Sequence, residues 1–406
     1  MNILAFSFSN ILSIIIFIVL ISIIVAWHEL GHLLTAKKFN VYCYEYAIGF
    51  GPVIYKNKKH ETYFALRAIP LGGFVKMAGE EGVQEGEILK DNNGNDIPND
   101  RILSNKSLPK KALVLAAGGI MNLILALILF YFYVSFNDIS NVTGKEKSTG
   151  FVMPIYTNEV TIADDSLLSN AGLETGDKVT VIVTWTEDEG EALSKVRIET
   201  NSYNDIYNAL KSKEPTKVGQ VQGFDVTYID ISDNNKEKTA YNITRTMVEE
   251  DGKKSISLIG ISQYYTVHEY NMLSGLYGSF HYMGLYGYEV IKAFGKLFVG
   301  DISNLTGLVG IYRTVDSVTS NNQAAFKTKF IDIIYLGGAL SFSLGFFNLI
   351  PFPALDGGRL FFVALEGIRK KKINPNVEAM IHFVGIIILF GLMIFINIRD
   401  IIGLFR

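Results

Sequence analysis

The longest uncharged stretch, Ile3 to Trp27, limits the fold more than any other feature of the chain. At about 1.5 Å per helical residue it can cross a hydrocarbon core of roughly 30 Å. Three further runs qualify, Ala112 to Phe136, Ile333 to Leu355 and Ala379 to Ile398. A mean hydropathy of +0.25 over 406 residues fits a membrane protein better than a soluble one. The first run lacks a basic n-region and a persuasive small-residue cleavage site, so it is expected to be a retained helix and not a removed signal peptide. Tyr270 to Gly300 carries Glu289, Lys292 and Lys296 and is expected to be amphipathic and interfacial. The expected fold class is a polytopic α-helical membrane protein with four transmembrane helices.

Charge then orients the chain. Lys37, Lys38, Lys56, Lys58, Lys59, Lys110 and Lys111 lie between the first two runs, and Arg369 to Lys372 lie between the last two. The excess of basic residues places both connections on the cytoplasmic side. Residues 135–326 carry 25 Asp and Glu against 16 Lys and Arg, and must then lie outside. The net charge of -3 offers no basic stripe, so the lipid bilayer and not nucleic acid is the expected surface. Cys43 is the single cysteine, which excludes an intrachain disulfide, an iron-sulfur cluster and an all-cysteine zinc site.

At the end of the first run stands Trp27-His28-Glu29-Leu30-Gly31-His32, an HExxH pattern. On a helix, His28 and His32 fall one turn apart on one face and can hold one Zn²⁺, with Glu29 beside them as a proton acceptor. The plain alternative is a pair of histidines anchoring the helix at the interface, but ionisable groups at the end of a span are costly unless something uses them. A catalytic zinc needs a third protein ligand. Asp356 stands out among the acids, closing the third run in Asn348-Leu349-Ile350-Pro351-Phe352-Pro353-Ala354-Leu355-Asp356-Gly357-Gly358. The prolines should break the helix there, and broken backbone at membrane depth is tolerated only in protein or beside a wet cavity. The alternative for Asp356 is an ordinary helix end with a glycine stop.

Taken together, these two motifs resemble the bacterial site-2 protease family of the RseP and RasP type. The resemblance continues through Gly49-Phe50-Gly51-Pro52 and Pro70-Leu71-Gly72-Gly73-Phe74-Val75-Lys76-Met77, similar to a membrane-re-entrant β-segment. Ala116-Ala117-Gly118-Gly119-Ile120-Met121-Asn122 resembles an AGPxxN stretch with Gly119 at the proline, and Gly307-Leu308-Val309-Gly310-Ile311 a GPVGI element with Leu308 at the proline. The resemblance implies His28, His32 and Asp356 as zinc ligands, Glu29 as general base and Asn348 as a group near the substrate or oxyanion. Asn122 matches a second-span asparagine, for which helix packing is the plain alternative. Gly72 and Gly73 would offer a strand edge to an unwound substrate, or else are simple turn glycines.

Residues from about 147 to 262 read as one β-rich domain. Ala171-Gly172-Leu173-Glu174-Thr175-Gly176-Asp177-Lys178-Val179 resembles a PDZ turn, with a strand at Val179 to Trp185, a helix at Tyr203 to Lys211 and closure at Ser257 to Ile261. Gly150-Phe151-Val152 is its candidate carboxylate loop, and a mere scaffold is the alternative. Glu80 to Asp100 reads as a mobile loop, and His60, His268, His281 and His382 as surface or interfacial residues.

The expected organisation is a first span over 1–39 with HExxH, a cytoplasmic or re-entrant β-segment over 40–110, a second span over 111–136 and an extracytoplasmic PDZ-like domain over 147–262. An interfacial segment over 263–328 follows, then a third span over 330–358, a basic loop over 359–378 and a fourth span over 379–398. The expected function is intramembrane zinc endopeptidase in the bacterial plasma membrane, with the site toward the cytoplasm. The resemblance implies single-pass membrane substrates, such as an anti-sigma factor first cut by a site-1 protease, or remnant signal peptides. The rivals are a non-proteolytic zinc transporter and a PDZ-bearing membrane scaffold.

Overall fold

The computed structural model describes residues 8–80, 87–143, 145, 147–154, 158–188, 191–250, 253–256, 259–297, 299–300, 305–371 and 373–403. They form two compact units. The first comprises residues up to Ser140, Glu146–Gly150 and Tyr270 onward, and the second comprises Asn141–Lys145 and Phe151–Glu269.

The first unit opens with helix α1 (Phe8–Lys38), whose last turn carries Lys37 and Lys38 where cations suit the helix dipole. HExxH therefore lies inside a continuous helix. Strands β1 (Cys43–Asn57) and β2 (Tyr63–Met77) form an antiparallel hairpin, and α2 (Leu108–Phe136) follows. Of the tract expected as a mobile loop, residues 81–86 lie outside the described residues. The rest is ordered by a Lys90–Asp96 bridge and by Asn92, whose side chain donates to the carbonyls of Tyr44 and Glu61.

Short helix α3 (Ser140–Thr143) leads into the second unit. There β3 (Gly150–Pro154), β4 (Val160–Ile162), α4 (Leu167–Asn170), β5 (Lys178–Asp188), β6 (Glu191–Glu199) and α5 (Tyr203–Lys211) are followed by β7 (Val221–Asp230), β8 (Lys236–Glu250), β9 (Lys253–Ile256), β10 (Ile261–Gln263) and β11 (Tyr265–Glu269). The main sheet is antiparallel in the order β6-β5-β7-β8-β9, and β4 pairs with β10. Its core gathers Leu168, Leu173, Val179, Ile182, Ile206 and Phe224. Between α4 and β5 the backbone turns at two glycines: Gly172 and Gly176 have φ of +91° and +105°, a region that favours glycine. Asp177 ties it down, accepting from the amides of Glu174 and Ile231. The expectation of a carboxylate loop at Gly150-Phe151-Val152 is corrected, because these residues belong to β3, paired with β11, and Phe151 is fully buried. Ser257 and Leu258 lie outside the described residues.

The chain returns to the first unit as α6 (Gly275–Leu297), α7 (Leu308–Ser320), α8 (Phe326–Leu349), α9 (Asp356–Arg369) and α10 (Pro375–Ile402). Among the described residues, four helices are long and apolar enough to cross a membrane, Asn10–Lys38, Leu108–Phe136, Phe326–Leu349 and Pro375–Ile402. Glycines let them approach: a β-carbon on Gly31 would sit 2.5 Å from the carbonyl oxygen of Ala117, and one on Gly345 2.7 Å from that of Gly119. Helix α6 packs along α2, where Tyr282 meets Phe130 and Tyr133 with ring centroids 4.9 and 5.5 Å apart. The N-terminus of α7 has no side-chain cap of its own. Asp400 and Asn397 of α10 accept from the amides of Gly307 and Val309, satisfying donors a helix start leaves open.

The third long helix stops at Leu349, short of the expected 358, because Pro351 and Pro353 supply no amide hydrogen and disfavour helical backbone before them. The loop expected over 359–378 is also largely helical, since α9 runs to Arg369. Lys111 pairs with Glu366 at 3.4 Å and Arg359 with Glu80, which pins α9 beside α2 and the hairpin.

Candidate metal centre

Helical spacing brings His28 and His32 together on α1, with ring centroids 4.9 Å apart. Asp356 reaches them from the first turn of α9, far along the chain. Its Oδ2 lies 3.1 Å from Nε2 of His28 and 3.1 Å from Nε2 of His32, and the two nitrogens are 3.2 Å apart. Three donors at the corners of a nearly equilateral triangle fit one ion. Zinc bonds of about 2.0–2.1 Å in a tetrahedron require edges of about 3.3–3.4 Å. The donor set, two imidazoles and a carboxylate, is also one that zinc takes.

The loop before Asp356 is built to present it. Neither Gly357 nor Gly358 has space for a side chain, since β-carbons there would lie 2.0 Å from the carbonyl oxygen of Ile350 and 2.4 Å from that of Phe352. Ala354 takes a positive φ of 81°, and its amide donates to Nδ1 of His382 on α10 at 2.9 Å. His382, expected as a surface or interfacial residue, is half-buried and has this further structural partner. It braces the ligand loop through a backbone contact, which leaves no motif in the sequence.

Helix α2 forms the wall behind the imidazoles. The Nδ1 of His32 meets the carbonyl oxygen of Val114 at 2.8 Å, and Nδ1 of His28 meets the side-chain amide of Asn122 at 3.2 Å. Between them, a β-carbon on Gly118 would lie 2.3 Å from Nε2 of His32 and 2.6 Å from Nε2 of His28. Sequence reasoning missed Val114 and Gly118, because one acts through its carbonyl and the other through a missing side chain.

Glu29 is half-buried beside the triad, and β2 passes close to it: a β-carbon on Gly73 would lie 3.5 Å from Cγ of Glu29 and 2.8 Å from the carbonyl oxygen of Ala47. Gly72, with φ of +126°, sits under the ring of Phe50. Asn348 lies half-buried in the last turn of α8. Of the expected site residues, the structure thus brings His28, His32, Asp356, Glu29, Asn122 and Gly73 into one neighbourhood. Among the described residues, no hydrogen bond joins the Asn348 side chain to them.

The sequence matches Peptidase family M50 over residues 16–392. It is 28% identical to the "Regulator of sigma-W protease RasP" of Bacillus subtilis, over 97% of this chain and 99% of that protein. It is 29% identical to the "Zinc metalloprotease RasP" of Geobacillus kaustophilus, over 96% of this chain and 97% of that protein. A "Putative zinc metalloprotease" of Staphylococcus aureus is 27% identical, over 97% and 99% of the two chains. A match over nearly the whole length, joined to an HExxH helix that meets a distant aspartate, leaves no doubt of kinship: the chain belongs to peptidase family M50.

Proposed function

We propose that this zinc metalloprotease cuts the membrane-spanning segments of single-pass proteins from a site reached within the bilayer. The observation that carries this reading is the convergence of His28 and His32 from one span-length helix with Asp356 at the end of the loop that follows another. When bound by these three side chains, zinc supplies a Lewis acid that polarises a scissile carbonyl and acidifies water.

The remaining chemistry belongs to Glu29. A carboxylate oxygen takes the proton of the attacking water, holds it, and passes it to the leaving amine. Gly73 lets strand β2 run alongside that carboxylate. A substrate helix keeps its amides and carbonyls in its own hydrogen bonds, so it must unwind before it can be cut. An unwound segment laid along the hairpin would gain main-chain hydrogen bonds that demand little of its sequence. Asn348, at the end of α8, is read as a donor to the substrate or the oxyanion.

The basic residues at 37–38, 58–59 and 369–371 support a cytoplasmic position for the site in a bacterial plasma membrane. The second unit, with its glycine turn and helix α5, is read as an extracytoplasmic PDZ-like domain that limits which substrates enter. A relative named as a regulator of sigma-W supports membrane-bound anti-sigma factors, trimmed first by a site-1 protease, as one substrate class.

The test is to reconstitute the full chain with a single-pass peptide and compare three forms. Wild type should carry one zinc and cleave. Glu29→Gln should keep the zinc and lose cleavage, because Glu29 is not a ligand. The His28→Ala, His32→Ala double variant should lose both. Full zinc occupancy in the double variant would end this reading of the metal site, and zinc transport undiminished in Glu29→Gln with no cleavage by wild type would favour a transporter.

A further inference from the structure

Helix α2 lays Val114, Gly118 and Asn122 at four-residue intervals along one face, and that face stands against His32 and His28, one turn apart on α1. The two histidines are served differently. His32 finds a main-chain carbonyl, which almost any residue at 114 would provide. His28 finds a side chain. The carbonyl of residue 122 is itself engaged, accepting from the hydroxyl of Ser341 at 2.8 Å. Both Asn122 and Ser341 have no exposed surface, so bulk water cannot stand in for either contact.

This geometry constrains the proton on His28. For Nε2 to offer its lone pair to a metal, the ring must carry its proton on Nδ1, and that buried N–H then needs an acceptor. Among the described residues, the hydrogen-bond partner of Nδ1 is the amide of Asn122. Its Nδ2 end faces the ring, while its buried Oδ1 has no hydrogen-bond partner among the described residues. A half-turn of the amide about Cβ–Cγ keeps its shape and brings Oδ1 to Nδ1.

We propose that Asn122 is a positioning residue for the metal site: its Oδ1 accepts the Nδ1–H of His28 and fixes the tautomer and ring angle that present Nε2. The proposal rests on the zinc reading above. It gives the asparagine of the second long helix a task distinct from helix packing or substrate contact, and Ser341 the task of holding the helix backbone at that residue. Outer partners of this kind change metal affinity by about 10–100-fold when removed.

The test uses the full chain in detergent, with zinc affinity read by chelator competition. Asn122→Leu keeps a similar shape but removes the acceptor, and should weaken zinc binding by about 10–100-fold. Asn122→Asp restores an acceptor and should return affinity to within about threefold of wild type or better. A packing role would make the two variants alike or favour Leu. A second measurement needs no substitution at 122: in the zinc-loaded, ¹⁵N-histidine-labelled wild type, the ring signals assigned by their loss in His28→Ala should show a protonated Nδ1. Wild-type affinity in Asn122→Leu, equal loss in both variants, or an unprotonated Nδ1 on His28 would each overturn the proposal. If the wild-type chain itself bound no zinc, the zinc reading would fall and this proposal with it, whereas the other adverse results leave that reading standing.

Discussion

Gly118 on α2 faces His32 on α1 so closely that a β-carbon would lie 2.3 Å from the imidazole Nε2. That space is what lets two ligand rings pack closely against a neighbouring helix. Exchange for alanine favours the helix itself by about 1 kcal/mol, so any loss of function must come from the site. Gly118→Ala should therefore keep or raise helical content while losing most bound zinc, measured by metal analysis of the purified protein. Wild-type zinc stoichiometry in that variant would contradict the packing described between α1 and α2.

The sequence carried the HExxH helix because a four-residue spacing on one face is a local property of helices. Asp356 was also visible, as an acid beside prolines in a span. What joins them is tertiary: the carboxylate and His28 are separated by 328 residues of chain, and no periodicity encodes that meeting. The roles of Val114, Gly118 and His382 were not legible for a related reason, since they act through a carbonyl, an absent side chain and a bond to the amide of Ala354. The break at the prolines was legible, but apolar composition continues to Leu355 and carried the third span too far, to 358, whereas α8 ends at Leu349. The basic cluster at 369–372 likewise suggested a loop, whereas the helix α9 before it buries Phe362.

Orientation can be measured with thiol reagents because the native cysteine should stay silent. Cys43 is fully buried among Leu33, Val41, Val75 and Met77, and that burial pushes its thiol up to about 12. Since the thiolate is the reactive species, alkylation of the wild-type chain at pH 7.5 should be far slower than that of a free thiol. Cysteines introduced at Lys58 and Lys371 should react only with reagents that enter the cytoplasm. Labelling of both from outside would invert the orientation.

The second unit has its own pH signature. Asp230 accepts from Nζ of Lys238 at 2.7 Å, from the hydroxyl of Ser232 at 2.6 Å and from the amide of Asp233 at 3.0 Å. The Lys238 ammonium first, and Ser232 next, hold this carboxyl well below the usual carboxylate range, and Lys238 is held above the usual amine range. A depressed acid contributes stability above its unfolded pKa of about 3.9 and loses it as pH falls toward the folded value; the raised lysine contributes below about 10.4 and loses it above. Trp185 is buried in this unit, so its emission in a Trp27→Phe background reports unfolding. The urea midpoint of Asp230→Asn should lie below wild type at pH 6, and the gap should shrink steadily below about pH 4. A gap that stays constant to pH 3 would show that the pair does not act through charge.

The second unit is expected to act as a filter and to take no part in the chemistry. Every residue assigned to the metal or to proton transfer lies in the first unit, and His268 is the single histidine of the second, stacked on Phe151. The long excursion from the first unit leaves after Gly150 and returns at Tyr270, and these two ends are bonded together. The amide of Tyr270 donates to the carbonyl of Thr149 at 2.8 Å, and the Thr149 hydroxyl donates to the carbonyl of Tyr270 at 2.5 Å. Residues 151–269 can therefore be removed and the ends joined by a short glycine linker without pulling the helices apart. If the unit selects substrates by size, the shortened chain should keep its zinc, cut a short single-pass peptide at a rate close to wild type, and also cut a precursor with a bulky outside domain that the intact chain spares. The measurement is a paired cleavage assay in vesicles with zinc content determined on the same samples. A shortened chain that holds zinc yet cuts neither substrate would place the second unit in the working site, and one that still spares the bulky precursor would locate the filter in the helices themselves.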